Sequence, residues 1–427
     1  MRIAVIGTGI AGLTSAWLLQ RQHHVTVFEK NDYVGGHTAT KIIPLQGKNY
    51  AIDTGFIVFN DRTYPYFRAM MRELGVAWRD TEMSFSVRDP DSGIEYNGNN
   101  LNTLFAQRKN LLSRKFWRLI KGILKFNKAA KAAYLEHGDA LDNKTLGEFI
   151  AEQKLAAEVS ELYLLPMVAA IWSASLSEAE AFPLGFFLRF FNNHGLLNVA
   201  DRPQWHTIVG GSAAYIEPLT RSFAEPIQLN AQIKAVHRAM PDRDGAITLE
   251  FNDGTLQDFD EVVLACHSDE ALQLLAAPTA DEAAVLSAIP YQMNDVVLHT
   301  DERLLPRNQR AWASWNYLLH TDEAAKQRPS SVSYNMNILQ GIEAPVTFCV
   351  TLNNTDAIQP QQILGRYWYA HPVYSVESMA ARQQRARICG QNHTHFSGAY
   401  WYNGFHEDGV RSAVDVAKRL GVSWNVE

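Results

Sequence analysis

Residues Arg2 to Ile6 are apolar at every position after the first, the pattern of a strand buried on both faces of a parallel sheet. A glycine-rich turn follows. Ala11 to Gln20 is then apolar at helical spacing and predicts a helix. Val25 to Glu29 (VTVFE) predicts a second strand, which a β–α–β crossover lays parallel to the first. Glu261 to Ala265 (EVVLA) reads as a further strand of this kind, with the Asn252-Asp253-Gly254 hairpin signal before it. Phe396 to Tyr400 reads as another, and Gly409 to Leu420 after it predicts a helix. Between these elements the pattern changes. Residues 79–204 are aromatic-rich and hold a long basic amphipathic helix, expected at about 111–134. Residues 290–385 hold strand-like runs at Asp295–His299 and Val346–Thr351. The fold class is therefore α/β. A discontinuous nucleotide-binding domain is expected over 1–78, 205–289 and 386–427, with an α+β substrate domain inserted as 79–204 and 290–385.

The 427 residues allow two or three domains, and 47% hydrophobic content excludes a disordered chain. A net charge of −6 argues against a globally basic nucleic-acid binder. Three cysteines (Cys266, Cys349, Cys389) are odd in number, far apart and without metal-ligand spacing. Neither a disulfide framework nor a zinc site follows from them, and a reducing cytoplasm is expected. The nucleotide pattern starting at Met1 leaves no room for a signal peptide. Apolar stretches such as Leu162 to Trp172 fall short of the ~20 residues of a membrane span. The expectation is a cytoplasmic protein, soluble or peripheral on the inner face of a membrane.

Gly7-Thr8-Gly9-Ile10-Ala11-Gly12 is G-x-G-x-x-G between a predicted strand and a predicted helix, the context that gives the motif its meaning. Gly7 permits the tight turn, Gly9 lets a pyrophosphate approach the backbone, and Gly12 lets helix and strand pack closely. Glu29 ends the second strand, where a carboxylate can accept from ribose hydroxyls. Gly35-Gly36-His37 and Asp53-Thr54-Gly55-Phe56 follow. The second glycine pair offers another close backbone approach, which an extended flavin dinucleotide can use.

With these residues in place, the chain resembles the flavin-containing amine oxidase superfamily, which includes phytoene desaturase-like and protoporphyrinogen oxidase-like enzymes. The superfamily pattern is G-x-G-x-x-G-L, then E-x5-G-G-R, then D-x-G. It is matched by Gly7, Gly9, Gly12, Leu13, Glu29, Gly35, Gly36, Asp53 and Gly55. His37 stands where the family usually has arginine. Phe396-Ser397-Gly398-Ala399-Tyr400 resembles the family's second flavin strand. Gly404-Phe405-His406-Glu407-Asp408-Gly409-Val410 resembles the segment whose helix N-terminus meets the isoalloxazine ring. Trp205 to Ser212 resembles the turn opening the middle nucleotide-domain segment, and Ile233 stands where a branched residue meets the adenine. The resemblance implies a Rossmann-type domain holding FAD without a covalent bond. Its contacts would be Gly7, Gly9, Ile10, Ala11, Gly12, Glu29, Lys30, Gly35, Gly36, His37, Gly55, Phe56, Ile233, Gly398, Ala399, Phe405, Glu407, Asp408, Gly409 and Val410. Covalent attachment through Cys389 or His395 stays open. Longer strings, among them Arg202-Pro203-Gln204-Trp205, the stretch from Ala311 to Tyr317 and Asn335 to Gln340, resemble a bacterial subgroup of predicted NAD/FAD-binding proteins. Its members are similar to enzymes acting on membrane-lipid acyl chains, beside cyclopropane and methyl fatty acid synthases.

Three features bear on the substrate. Residues 104–135 carry Arg108, Lys109, Arg114, Lys115, Arg118, Lys121, Lys125, Lys128 and Lys131 and no acidic residue. Phe116, Leu119, Ile120, Ile123 and Phe126 fall on one helical face, with cations on the other. Such a helix either docks on an anionic membrane through residues 108–131 or covers its own core. Aromatics cluster at Phe182, Phe186, Phe187, Phe190 and Phe191, at Trp312, Trp315 and Tyr317, and at Tyr367, Trp368, Tyr369 and Tyr374. These are either core or the lining of an apolar tunnel. The strand on which the family's amine oxidases place a lysine corresponds to Asn294–His299, and no lysine occurs between Lys234 and Lys326.

The catalytic candidates are His406 and His371 as bases of near-neutral pKa, with Phe405 as an aromatic wall. His206, His299, His393 and His395 are weaker candidates. The expected activity is FAD-dependent removal of a hydride from a C–H bond of an apolar substrate, a lipid acyl chain. The alternatives are a secondary-amine or polyamine oxidase and a non-catalytic flavin-bearing partner of a lipid-modifying enzyme.

Overall fold

The computed structural model describes residues 1–172, 174–198, 202–223, 225–240, 244, 246–319 and 331–426. A four-stranded parallel sheet has the order Thr394–Phe396, Glu261–Leu264, Arg2–Ile6, His24–Phe28. Every residue of the helix Ile10–Leu19 is buried, because the helix lies between this sheet and the last helix, His406–Arg419. Its apolar and small residues therefore run all round, as burial on every side requires.

A three-stranded antiparallel sheet (Ile233–Arg238, Ile247–Phe251, Leu256–Phe259) contains the expected hairpin, with Gly254 at φ +84° in the turn. A seven-stranded sheet is built from Ile363–Pro372, Tyr291–His299, Cys349–Leu352, Val332–Asn335, Trp315–Leu318, Phe85–Asp89 and Ile94–Asn97, in that order. Its only parallel pair joins Trp315–Leu318 to Phe85–Asp89, among the described residues. Helices between Leu101 and Asn193 cover one face of this sheet and share its core. The other face closes over Tyr50, Ile52, Met336 and Phe348.

Asp53 stitches separate parts of the chain together. Its buried carboxylate accepts from the Ser212 backbone N–H at 2.9 and 3.0 Å, from Ser212 Oγ at 2.9 Å, Thr40 Oγ1 at 2.6 Å and Gln340 Nε2 at 2.9 Å.

Several element bounds differ from the sequence expectation. The basic helix is Arg114–His137, not 111–134, because Ser113 Oγ caps it by accepting from Phe116 N–H at 3.2 Å. Arg108–Leu112 is a separate 3₁₀ turn. The helix buries Phe116, Leu119 and Phe126, so its main apolar face covers its own core. The strand expected at Phe396–Tyr400 ends at Phe396, and Ala399–Trp401 is a 3₁₀ turn. The last helix begins at His406 rather than Gly409, since the Phe405 carbonyl already accepts from Asp408 N–H at 2.9 Å and Gly409 N–H at 3.1 Å. The strand expected at Val346–Thr351 is Cys349–Leu352. Among the described residues no helix is long and apolar enough to cross a membrane.

Candidate functional site

The four parallel strands end on one edge, and Gly7, Glu29, Ala265 and Ser397 each follow one of them there. Gly7 (φ +106°) lies so close to the neighbouring strand that a Cβ would sit 2.9 Å from the Ala265 carbonyl oxygen. A Cβ at Gly12 would come within 1.9 Å of the Gly7 carbonyl oxygen. These two glycines weld turn, helix and sheet together. Gly9 differs: it is the helix N-cap at φ −63°, no side chain caps it, and the first turn holds no acidic residue. A Cβ there would meet nothing within 4 Å. The leading N–H groups of the helix and the positive end of its dipole therefore face open space over Gly9, where an anion fits. Gly36 packs against Gly9 from the other side, and Ile10 and Ala11 meet Gly409 of the last helix.

Glu29 is buried beside this turn. One carboxylate oxygen accepts from Thr8 N–H at 3.0 Å and from the Thr8 hydroxyl; the other accepts from Asn31 N–H at 2.9 Å and Asn31 Nδ2 at 2.7 Å. Ribose hydroxyls at this carboxylate would replace the side-chain donors of Thr8 and Asn31. Ala231 N–H donates to the Glu29 carbonyl at 2.8 Å, which brings the start of the Ile233–Arg238 strand to the same edge. Lys30 points elsewhere, exposed and ion-paired with Glu270.

His37 heads a cluster that the sequence did not reveal. Its ring centroid lies 5.4 Å from His371, 5.3 Å from Tyr369 and 6.0 Å from His267, and its Nε2 is buried without a hydrogen-bond partner. Burial, then the neighbouring imidazoles, hold His37 well below the usual histidine range. His371 is pushed down to about 4 by burial, with Asn294 Nδ2 at 3.1 Å from its Nδ1. His406 stacks on Phe56 with centroids 3.7 Å apart, has Nε2 3.1 Å from Thr38 Oγ1, and is pushed down to about 3 by burial. Neither histidine is poised near neutral pH, contrary to the sequence expectation. Both are too poorly solvated to carry a charge.

Groups near neutrality lie instead at the start of the last helix. A cavity of about 680 Å³ is lined there by Arg62, Tyr64, Phe190, His194, Phe405, Glu407, Asp408 and Arg411, among others. Burial lifts Glu407 to about 7, although it accepts from the Tyr66 and Phe67 N–H groups at 3.0 and 2.8 Å. Asp408 also rises to about 7 through burial, against the Phe405 N–H bond of 2.9 Å. Phe405 stacks on Phe190 at 5.3 Å, and His194 stacks on the same ring at 3.8 Å. Phe182, Phe186, Phe187 and Phe191 are core residues. His194, Arg62 and Arg411 escaped the sequence reading because they come from three distant segments with no shared spacing.

The weaker histidines are structural. His206 pairs with Asp80 at 3.0 Å, and His299 holds Thr351 Oγ1 at 2.7 Å. His393 and His395 grip Glu261 at 2.9 and 3.1 Å. Glu261 opens its strand, so His395 reaches toward the sheet edge opposite the glycine turn. Covalent flavin attachment through His395 therefore finds no support in the geometry; Cys389 is buried in the core with Phe396 N–H on its Sγ at 3.4 Å.

A parallel sheet with a glycine turn, an uncapped helix N-terminus and a second helix N-terminus on one edge defines a dinucleotide-binding enzyme of the Rossmann type. The family described as flavin containing amine oxidoreductase matches residues 10–344, and the chain belongs to it. As a member of that family it is a flavin-containing oxidoreductase. The chain is 26% identical over 223 residues to an uncharacterised protein of Methanocaldococcus jannaschii, covering 52% of this chain and 49% of that protein. It is 37% identical over 93 residues to a 1-hydroxycarotenoid 3,4-desaturase of Flavobacterium sp., covering 22% and 17%. The chain spans about half the length of the first two curated relatives it matches. Among solved structures, a CLA-producing fatty acid isomerase from P. acnes superposes with a TM-score of 0.69 at 17% identity, covering 98% of both chains. A putrescine oxidase variant gives 0.71 at 14% identity, covering 99% of this chain and 100% of its own.

Proposed function

We propose that this protein removes a hydride from a C–H bond of a lipid acyl chain, in a reaction of the desaturase or oxidase type. Bound FAD supplies the hydride acceptor. The turn Gly7–Gly12 and the Ile10–Leu19 helix N-terminus would hold the pyrophosphate, Glu29 the ribose, and the His406–Arg419 helix N-terminus the flavin head.

The observation that carries the substrate reading is the setting of Phe405. It is half-buried and packs against both the parallel-sheet core and the helical core, so it stands at their seam. On its helical side Phe190 lines the cavity with it, backed by the buried Trp172 ring 4.7 Å behind. Such a wall offers an acyl chain dispersion contacts and an amine nothing to bond. The Tyr291–His299 strand, which carries no lysine, supports the same reading. So does the likeness to a fatty acid isomerase in fold and to a carotenoid desaturase in sequence. Asp408 and Glu407, near neutrality and on the cavity wall, are the groups suited to take a proton. His406 and His371 are not.

One observation favours an amine substrate: the same two carboxyls give the cavity an acidic side. Arg62 and Arg411 line it too and offset that charge. An anaerobic titration decides between the readings. Loss of visible flavin absorbance with methylated phospholipid vesicles, and none with a panel of amines, is the expected result. Bleaching by an amine alone refutes the lipid reading. A flavin that nothing bleaches points to the non-catalytic partner.

A further inference from the structure

The basic helix Arg114–His137 has two apolar faces, and only one is used inside the protein. Phe116, Leu119 and Phe126 are buried in the helical core. Trp117, Leu124 and Leu135 lie on the opposite side and remain 41%, 50% and 85% exposed. Together with Lys121 and Lys128 they form one stripe, since steps of four and seven residues return to the same side of a helix. The stripe continues into the preceding 3₁₀ turn. Trp117 Nε1–H donates to the Leu111 carbonyl at 2.9 Å, which ties this turn to the helix, and Leu112 in it is 91% exposed. Lys109, Arg114 and Lys115 flank this tip. Arg118 is spent on Glu158, and Lys125 on the Gln153 carbonyl at 2.5 Å. Residues 104–135 carry nine positive charges and no negative one. The other residues together carry −15, the chain's −6 less these nine.

We propose that this outward face docks the protein on an anionic phospholipid surface, with Leu112, Trp117 and Leu124 entering the acyl boundary and the lysines holding headgroup phosphates. Charge alone would serve nucleic acid or an acidic protein equally well. Leucine and tryptophan alternating with lysine on one stripe calls for an apolar phase directly behind a layer of negative charge, which a bilayer provides. The inserting face is thus opposite to the one that the sequence pattern singles out. The inference goes beyond the proposed reaction, because vesicle binding is read without turnover.

The test is co-flotation of the holoenzyme with phosphatidylcholine vesicles containing or lacking phosphatidylglycerol. Binding to the anionic vesicles only is expected. Lys121→Gln with Lys128→Gln should weaken it about 25-fold, at about fivefold per basic residue near a charged leaflet. Leu112→Gln with Leu124→Gln, which keeps every charge, should weaken it at least tenfold. Both double variants alter exposed side chains, so retained flavin absorbance and an unchanged Tm verify the fold. Equal binding to neutral vesicles, wild-type binding by the leucine variant, or binding of an RNA duplex without binding of vesicles each overturns the proposal.

Discussion

Gly9 and Gly12 stand three residues apart in one motif, and the structure gives them opposite roles. Alanine at Gly12 should favour an isolated helix by about 1 kcal/mol. Here its Cβ would lie 1.9 Å from the Gly7 carbonyl oxygen, and Cβ atoms essentially never come closer than 3.0 Å to a heavy atom. Backbone must therefore move by about 1 Å. Backbone has no alternative rotamer, so the overpacking cost falls near the upper end, about 3 kcal/mol, and the net effect is a loss of about 2 kcal/mol. In a protein of 427 residues, at about 2.1 cal/mol/K of unfolding entropy per residue, that lowers Tm by roughly 2 °C. Alanine at Gly9 keeps an allowed φ of −63° and meets nothing within 4 Å, so the apoprotein should be as stable as wild type or slightly more so. Its methyl group would occupy the space in front of the helix N–H groups. Two N–H bonds to a phosphate, at about 1.5 kcal/mol each, then go unmade, and FAD affinity should fall about a hundredfold. Thermal unfolding of the apoproteins and fluorescence titration with FAD measure the two effects separately. Wild-type FAD affinity in Gly9→Ala would refute the assignment of the pyrophosphate to this turn.

Three further outcomes are expected. Burial raises the Asp53 carboxyl from 3.8 to about 6, so its protonated form favours folding. That contribution is complete below about pH 4 and lost as pH rises through 6, about 3 kcal/mol in all. Urea unfolding of Asp53→Asn should lack this slope, and a slope identical to wild type rejects it. Arg382 is buried and donates to the Tyr400 carbonyl at 2.6 Å, Ser378 Oγ at 2.6 Å and the Val373 carbonyl at 3.2 Å, under the Tyr374 ring at 4.2 Å. Arg382→Met should cost about 3 kcal/mol by denaturant midpoint, and lysine, lacking the planar fork, should not restore it. His37 is held neutral by burial in the free protein, and its neighbour Gly36 packs on Gly9, so a pyrophosphate bound at the turn should draw a proton onto its imidazole. FAD affinity should then rise from pH 8 to pH 6 in the wild type and stay flat in His37→Arg; equal pH dependence in both removes His37 from the phosphate contact.

The β–α–β opening and the hairpin at Asn252–Gly254 were legible because each is encoded in fewer than thirty consecutive residues. The cavity at Phe405 was not, because Arg62, Phe190, His194 and Arg411 meet only through tertiary packing. His371 and His406 read as near-neutral bases because a sequence shows the imidazole and not its burial. The error at the last helix has a local cause. Gly409 looks like a helix start, but the Phe405 carbonyl takes up the first bonds and draws His406, Glu407 and Asp408 into the opening turn. The outward stripe on the basic helix was masked by its stronger inner face, since Trp117 and Leu124 declare their direction only once Phe116 and Phe126 are seen to be buried.

The order of strands in the parallel sheet fixes when this protein can become complete. Residues 394–396 pair with 261–264, which pair with 2–6, which pair with 24–28. The Arg2–Ile6 strand therefore gains its neighbour Glu261–Leu264 only after the long intervening stretch has been made, and the outer edge closes later still. The helices from Leu101 to Asn193 have mostly nearby partners and can settle early. Meanwhile the apolar Arg2–Ile6 strand waits with one side unpaired, the kind of exposed edge that aggregates. Synthesis leaves a long interval in which that edge stays open, and a cofactor can lock the sheet only after residues 394–396 have joined it.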